Sequence, residues 1–419
     1  MSKLLSQGGF GCVYYPAIKC NGKSDTKKKT VSKLQVFDYN SVNEMVIGNL
    51  VMSISSYFLF FLPVVSSCPI KLNSIDERLL KKCDFIVKDA EAAAAADKDT
   101  DDTDSDDTDS DDTDSDDDDD KKEYILMEIP YVKNKTFYSI LIDMYSSKKH
   151  IFVGLIETYS YLLEAISILI DKRIVHFDIK SENILYNLET NLPLLLDFGI
   201  SIIIDNFFVK NVNGNKLNYE KLKQIFYVFS PDYYIWAPEI HVISFLLQET
   251  EGVLTEKDVI GISTEYVEFN KGLINFSDGF KEDYLKICIE YLMRFVGMDR
   301  EKTISELLSF YPTWDNFSLS ILYLKTFYFM FPQGFHRNSL ILFFSQMLLF
   351  NIHPDPRRRY TLEETKQKFK DIFFMEENVE NYIDLLTTFD YDVGYATKVI
   401  NVDINNMGHT RAMMKLHKK

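Results

Sequence analysis

The stretch HFDIKSENILYNLETNLPLLLDFG, residues 176–199, leaves the chain little local choice. Asn183 leads into the apolar run Ile184-Leu185-Tyr186. A polar turn, Glu189-Thr190-Asn191, follows, and Leu194-Leu195-Leu196 runs back to Asp197. Two short apolar runs joined in this way form a β-hairpin. Closing it returns Asp197 to the end where Asn183 began, with Asp178 just before them. Two oxygen ligands then converge beside a third carboxylate. Such a set suits a divalent cation that bridges phosphate oxygens: hard donors, few of them from protein, and room left for substrate.

HFDIKSEN resembles the catalytic loop of the protein kinases (H-R-D-L-K-x-x-N), and Asp197-Phe198-Gly199 resembles their metal-binding D-F-G. The resemblance implies that Asp178 accepts the proton of a substrate hydroxyl. It implies that Lys180, a Ser/Thr-kinase feature, neutralises the transferring γ-phosphate, and that Asn183 and Asp197 hold magnesium. A solvated loop beside a chance D-F-G is the bland alternative. Two motifs in order, separated by a hairpin, weigh against it.

Further pieces follow in the family's order. In LLSQGGFGCVYYP, Gly8, Gly11 and Val13 match the glycine-rich loop that covers nucleotide phosphates, with Ser6 where its first glycine stands. Glycines let backbone amides approach oxygens closely. Val31-Ser32-Lys33 resembles the strand that carries the phosphate-pairing lysine, with Glu44 as the helix partner of Lys33. YILMEIPYV, residues 124–132, resembles the strand entering the hinge; Met127 would lie behind an adenine, and the backbone from Glu128 to Pro130 would face its polar edge. Ala237-Pro238-Glu239 matches the A-P-E that closes the activation segment, and DPRRRYT, residues 355–361, the signature whose Arg359 pairs with Glu239. Asp315 would open the central helix and accept hydrogen bonds from the catalytic-loop backbone; a helix N-cap is its other reading.

Four features depart from the pattern. Phe177 replaces the arginine that, in the family, grips a phosphate on the activation segment, so switching by that phosphate is not expected. Forty residues separate Asp197 from Ala237, with Asp232 where a threonine is usual and Ser230 as its candidate substitute. Met1 to Leu5 leaves almost no first strand. The interval from Glu239 to Asp315 is far longer than the family's.

The expected fold is α+β and two-lobed, protein-kinase-like. A small antiparallel β-sheet lobe spans 1–128, with an acidic disordered insertion at 90–122. A large, mainly helical lobe spans 129–375, with a helical insertion at 240–312, and an extension follows at 376–419. Hydrophobic residues at 46%, with 32 Phe and 25 Tyr, are ample for a core. The net charge of −17 misleads, because residues 97–122 hold sixteen Asp against three Lys, leaving −4 for the rest. Like charge at that density resists ordering, and a long loop costs little in closure entropy. The tract reads first as a solvated spacer; Thr103, Thr108, Thr113 and Ser115, each with an Asp three residues on, are candidate sites for acidophilic kinases. The mildly acidic body makes no bid for nucleic acid.

The five cysteines (12, 20, 68, 83, 288) show no metal or disulfide spacing and read as reduced cytosolic thiols. No secretory segment is visible. Leu50 to Val65 is interrupted by serines and ends near Pro63, short of the ~20 apolar residues a membrane span needs. It reads instead as the end of a helix and a following strand. In DYLKICIEYLMRFVGM, Leu285, Ile289, Leu292 and Val296 share one side of a helix.

These pieces imply an ATP- and Mg2+-dependent Ser/Thr protein kinase, with both ligands between the lobes and protein substrates as acceptors. No nucleic acid partner and no membrane span are expected, and a monomer in the cytoplasm is. Within the family, the short start, GGFGCVYYP, Phe177 and the long insertion are similar to the Ser/Thr kinases of large nucleocytoplasmic DNA viruses. That likeness implies host cytoplasm as the site of action, with virion packaging open. Two other classes stand beside this one. A pseudokinase-type scaffold is opposed by intact Lys33, Asp178, Asn183 and Asp197. A kinase of small molecules or lipids is opposed by Lys180 and the pairing of Glu239 with Arg359.

Overall fold

A computed structural model describes all residues except 9–10, 26, 28, 89–121, 147–150, 212–213, 250–251, 331–338 and 376–419. The acidic tract as far as residue 121, its Thr103, Thr108, Thr113 and Ser115, and the C-terminal extension therefore lie outside the described residues. Met1–Met52 with Pro63–Tyr131 form one compact unit, and Ser53–Leu62 with the chain from Val132 form another. The break thus falls three residues later than the expected 128/129. The decapeptide 53–62 goes with the second unit because Phe61–Leu62 pairs there.

Unit 1 is built on an antiparallel sheet of five strands in the order β1-β2-β3-β6-β5. The strands are β1 (Lys3–Gly8), β2 (Gly11–Tyr15), β3 (Thr30–Val36), β5 (Ser66–Ile70) and β6 (Tyr124–Pro130). The near absence of a first strand is corrected here: β1 has six residues and pairs with β2 across a bulge between Leu4 and Ser6. Its residues are mostly exposed, so no apolar alternation announced it, and the backbone ladder alone defines it.

One sheet face carries the core of Cys12, Tyr14, Ile18, Leu34, Ile70, Ile75, Cys83, Ile86 and Leu126. The other faces Val64, Ile125 and Met127, with Met45 from helix α1 (Tyr39–Met52) against them. Gly48 lets that helix come close, since a Cβ there would meet the Val64 carbonyl oxygen at 2.7 Å. Glu44 sits one turn earlier on the same side.

The reduced-thiol expectation is also corrected. Cys12 is bonded to Cys83, 71 residues away, and Cys20 to Cys68, 48 residues away; Cys288 is free and buried. The segment after β5 folds back over the sheet, bringing the Cα of Cys83 within 5.9 Å of that of Cys12. Spacing along the chain carries no trace of such pairs.

In unit 2 the expected hairpin is present as β9 (Ile184–Asn187) and β10 (Leu192–Leu196), with Ile184 opposite Leu195. Strand β4 (Phe61–Leu62) adds to β10 in parallel and β7 (Asn134–Thr136) to β9 antiparallel. The rest is dominated by helices. Helix Trp314–Met330 is buried at every residue but Tyr328, as a helix running through a core must be. The stretch from 240 to 312 is helical, over Pro238–Gln248, Glu256–Phe269, Asp278–Leu292 and Arg300–Leu308. The inward side of Asp278–Leu292 is Tyr284, Cys288, Tyr291 and Leu292; of the expected Leu285, Ile289, Leu292 and Val296, Leu292 is on it, Leu285 and Ile289 lie one position off, and Val296 lies beyond the helix. Aromatic bulk, which the aliphatic pattern undercounted, sets that rotation. Among the described residues one helical stretch, Val153–Asp171, is long and apolar enough to cross a membrane, and 56% of it is buried in the protein.

Candidate active site

The loop from His176 to Asn183 is held from beneath by Asp315. Its carboxylate accepts the backbone N–H groups of His176 at 2.7 Å and Phe177 at 2.9 Å. Burial pushes the Asp315 carboxyl up to about 7, with the two N–H groups pulling the other way. The His176 carbonyl accepts the Ser201 hydroxyl at 2.8 Å, and its ring Nε2 lies 3.2 Å from the Leu196 carbonyl oxygen. Burial holds that ring's pKa below the ordinary histidine value.

Phe177 has φ +68°, a left-handed conformation costly for any residue with a Cβ. It is 2% exposed, stacked on Trp236 at 4.7 Å and packed against Phe226 and Trp314. That packing and Asp315 together hold the turn that aims Asp178.

Asp178, Lys180 and Asn183 are all buried. Lys180 Nζ pairs with both carboxylate oxygens of Asp178. Asn183 Nδ2 donates to Asp178 Oδ2 at 2.8 Å and to the Asp178 carbonyl at 2.9 Å. The amide nitrogen is thus committed to the loop, and Oδ1 is the atom of Asn183 suited to a cation. The hairpin register puts Asn183 opposite Leu196, so Asp197 is one residue beyond. Asp197 also has φ +68° and is half-buried. Among the described residues no group of three or more His, Cys, Asp or Glu is arranged to hold a metal. A cation here would rest on Asp197 and Asn183, completed by phosphate and water oxygens, which is how magnesium is often bound.

Ser6, Gly8, Gly11, Val13, Lys33, Glu44, Met127 and Glu128 lie in unit 1. Lys33 Nζ donates to Glu44 Oε2 at 2.7 Å, both side chains buried. Val13, Lys33 and Met127 form one cross-strand row through β2, β3 and β6, so they share a sheet face. Gly8 at the end of β1 pairs with Gly11 at the start of β2, and Ser6 pairs with Val13. Gly11 has no room for a side chain: a Cβ would meet the Leu34 carbonyl oxygen at 2.2 Å.

Glu128 does other work with its side chain, binding Thr30 at 2.5 Å, Ser66 at 2.9 Å and Lys19. Its carbonyl already accepts the Val65 N–H at 2.9 Å, and Pro130 has no N–H to offer. Beside the resemblance's hinge, this strand is therefore poor in free donors.

Two anchors complete unit 2. Arg359 and Glu239 form a two-pronged pair at 2.5 and 2.8 Å, both side chains fully buried. Trp314 Nε1 adds a bond to Glu239 at 3.0 Å. On the segment before Glu239, the Ser230 hydroxyl donates to Asp232 and does not reach the side chains of the His176–Asn183 loop. Tyr233 does: its hydroxyl donates to Asp178 Oδ1 at 2.9 Å and lies 3.4 Å from Lys180 Nζ. Neither Tyr233 nor Trp236 was singled out from sequence. The available signal was the aromatic run Tyr233-Tyr234-Ile235-Trp236 directly before the A-P-E.

No family model matches this chain, and no curated protein matches it.

Proposed function

We propose that this chain is a protein kinase that uses ATP and magnesium to phosphorylate Ser or Thr hydroxyls on protein substrates, in a two-lobed kinase-like fold. The observation that carries the reading is the buried constellation of Asp178, Lys180 and Asn183 on a loop fixed by Asp315. A carboxylate positioned by an amide and neutralised by an ammonium is equipped to accept a hydroxyl proton as phosphorus transfers. Asp197 and the Asn183 oxygen are suited to magnesium, which would offset charge on the phosphates. In unit 1 the sheet order, the Gly8–Gly11 pair and the Lys33–Glu44 pair support the nucleotide side of the same reading. Phosphoryl transfer asks chiefly for positioning and charge neutralisation, and these residues supply both.

The test is ³²P transfer from ATP with magnesium to the chain itself and to casein and histone, for wild type and Asp178→Asn. Label on Ser or Thr that falls by about 10²–10⁴ in the variant supports the reading. A binding module without turnover is the second reading, favoured by the engagement of both Asp178 oxygens within the chain. ATP bound by both proteins and transferred by neither would decide for it.

A further inference from the structure

The helical stretch between Glu239 and Asp315 holds a groove of its own. Helices Glu256–Phe269 and Asp278–Leu292 flank a cavity of about 340 Å³ walled by Val267, Phe269, Ile274 and Leu285, with Glu268 and Glu282 in its lining. Phe269 is 50% exposed and Ile274 42%, so the apolar wall stands open to an incoming side chain. The groove is built in advance of any occupant. Asn270, at the end of the first helix, is buried; its Oδ1 accepts the Gly272 N–H at 2.9 Å and its Nδ2 donates to the Tyr266 hydroxyl at 3.1 Å. Ser277 caps the second helix by accepting the Phe280 N–H at 3.3 Å.

Charge selects what the groove can hold. Of the two lysines in the lining, Lys281 faces Asp278 at 3.5 Å and Lys271 lies over the Tyr234 ring at 6.0 Å. Glu268 and Glu282, one from each helix, make no ion pair with a described residue. One turn before Glu268, burial and the charges of Asp232 and Glu268 raise the pKa of the Glu265 carboxyl. Negative charge thus gathers beside the apolar wall without a matching cation. A segment that sets apolar side chains between lysines or arginines fits both features, whereas nucleic acid and anionic lipid surfaces are repelled.

The groove adjoins the catalytic loop within unit 2. Tyr266 Oη reaches the Tyr234 carbonyl at 3.5 Å, and Tyr233, its neighbour in the chain, donates to Asp178 at 2.9 Å. Resting on the kinase reading above, we propose that this groove docks protein substrates, taking an apolar segment flanked by Lys or Arg that lies near the Ser or Thr to be phosphorylated. Docking makes the meeting of that hydroxyl with Asp178 an intramolecular event, so it lowers the KM of the acceptor.

The probe is a fluorescein-labelled peptide of leucines set between lysines, with two controls, one with serine for leucine and one with glutamate for lysine. Anisotropy with the full chain reads binding without any transfer. The probe should bind, and binding should weaken about tenfold or more for either control and for Phe269→Ser and Glu268→Lys. The same segment is then joined by a glycine–serine linker to a serine acceptor peptide and given ATP and magnesium. In wild type the joined acceptor should have a KM about tenfold or more below that of the acceptor alone. That ratio should approach one in both variants. Equal binding of probe and controls, or binding untouched by both variants, overturns the proposal. A zero-length carboxyl–amine crosslinker, read by peptide mass spectrometry, locates the occupant. Joining of Glu268 or Glu282 to the probe supports the proposal; in the chain alone, joining to Lys415, Lys418 or Lys419 gives the groove to this chain's own basic end and overturns it. Acceptor transfer with a KM ratio of one in wild type removes the substrate role and leaves the kinase reading standing. Probe binding as expected with no transfer to any acceptor removes the kinase reading and the substrate role with it, and leaves a binding groove of the stated chemistry.

Discussion

Trp236 Nε1 donates to the carbonyl oxygen of Phe177 at 2.8 Å while the two rings stack at 4.7 Å. This contact joins the end of the segment before Glu239 to the loop that carries Asp178, at the position where the kinase pattern has an arginine. An aromatic stack needs no phosphate to close it. Phe177→Arg should therefore not install a phosphate switch. It should bury a guanidinium among Phe226, Trp236 and Trp314 and cost several kcal/mol, read by urea denaturation. Trp236→Phe keeps a ring and removes the donor, and about 1–3 kcal/mol should be lost as the Phe177 carbonyl is left unpaired. Wild-type stability in both variants would refute this account.

Glu239 and Arg359 meet with no solvent at either side chain. Removing one charge leaves the other buried, so Arg359→Met or Glu239→Leu alone should cost about 3–5 kcal/mol. The double variant should be markedly more stable than the sum of the two losses predicts. A double-mutant cycle by denaturant titration measures the coupling, and strict additivity would disprove it.

Lys33 and Glu44 form the corresponding pair of unit 1. Glu44→Ala should destabilise by about 3 kcal/mol, since it takes a carboxylate away from a buried ammonium. Glu44→Gln keeps an acceptor oxygen and should lose less. Thermal unfolding of the three proteins at one pH would rank them, and equal losses for Ala and Gln would argue against a charge effect.

Asp315 gives a pH signature. Its folded carboxyl titrates at about 7 against an ordinary 3.8, because burial penalises the charged form. Below the ordinary value both folded and unfolded chains hold the proton, and the group's contribution is at its most favourable. As pH rises from about 4 through 7 the unfolded chain ionises first, so that contribution is lost, on the order of 4 kcal/mol in full. Asp315→Asn cannot ionise and should lack this component. Denaturation at pH 5 and pH 7.5 should show a steeper fall in wild type than in the variant; parallel profiles would contradict the assignment.

The two disulfides should differ in reach. Cys12 and Cys83 are 0% exposed within the unit 1 core, whereas Cys20 is exposed and Cys68 half-buried. Dithiothreitol titration with alkylation and peptide mapping should open Cys20–Cys68 under native conditions. Cys12–Cys83 should open only with unfolding. Each bond is worth about 2–4 kcal/mol through the entropy of the unfolded chain. Simultaneous reduction of both would refute the difference.

What could be read from sequence was what is local. The β9–β10 hairpin follows from two apolar runs and a turn, and the spacing within HFDIKSEN puts Asp178, Lys180 and Asn183 on one short loop. Glu44 was legible only through its order relative to Lys33, since nothing in an exposed-looking glutamate shows what it meets. Contacts closed over long stretches left no signal: Cys12 to Cys83, Cys20 to Cys68, and the reach of Tyr233 to Asp178 across 55 residues. For Tyr233 the search was for a short hydroxyl side chain near Ala237. A longer side chain, one residue beyond Asp232 and three beyond Ser230, does the reaching. The helix Asp278–Leu292 was found but turned by one residue, because Tyr284 and Tyr291 bury more surface than the aliphatics that were counted.

The decapeptide 53–62 gives the gene an awkward grammar. Its Phe60 stacks on Tyr161 at 4.7 Å and its Phe61 meets Phe198, while the residues on either side of it belong to the other unit. The polypeptide thus crosses between the units three times, at 52/53, 62/63 and 131/132. No single cut separates one unit from the other with each sheet intact. A fragment starting at Val132 would lack β4 and expose the open edge of β10. An exchange of one unit alone needs a joint at each of the three crossings, whereas a single joint at 131/132 carries the decapeptide along, so the chain holds its two units as a stitched pair.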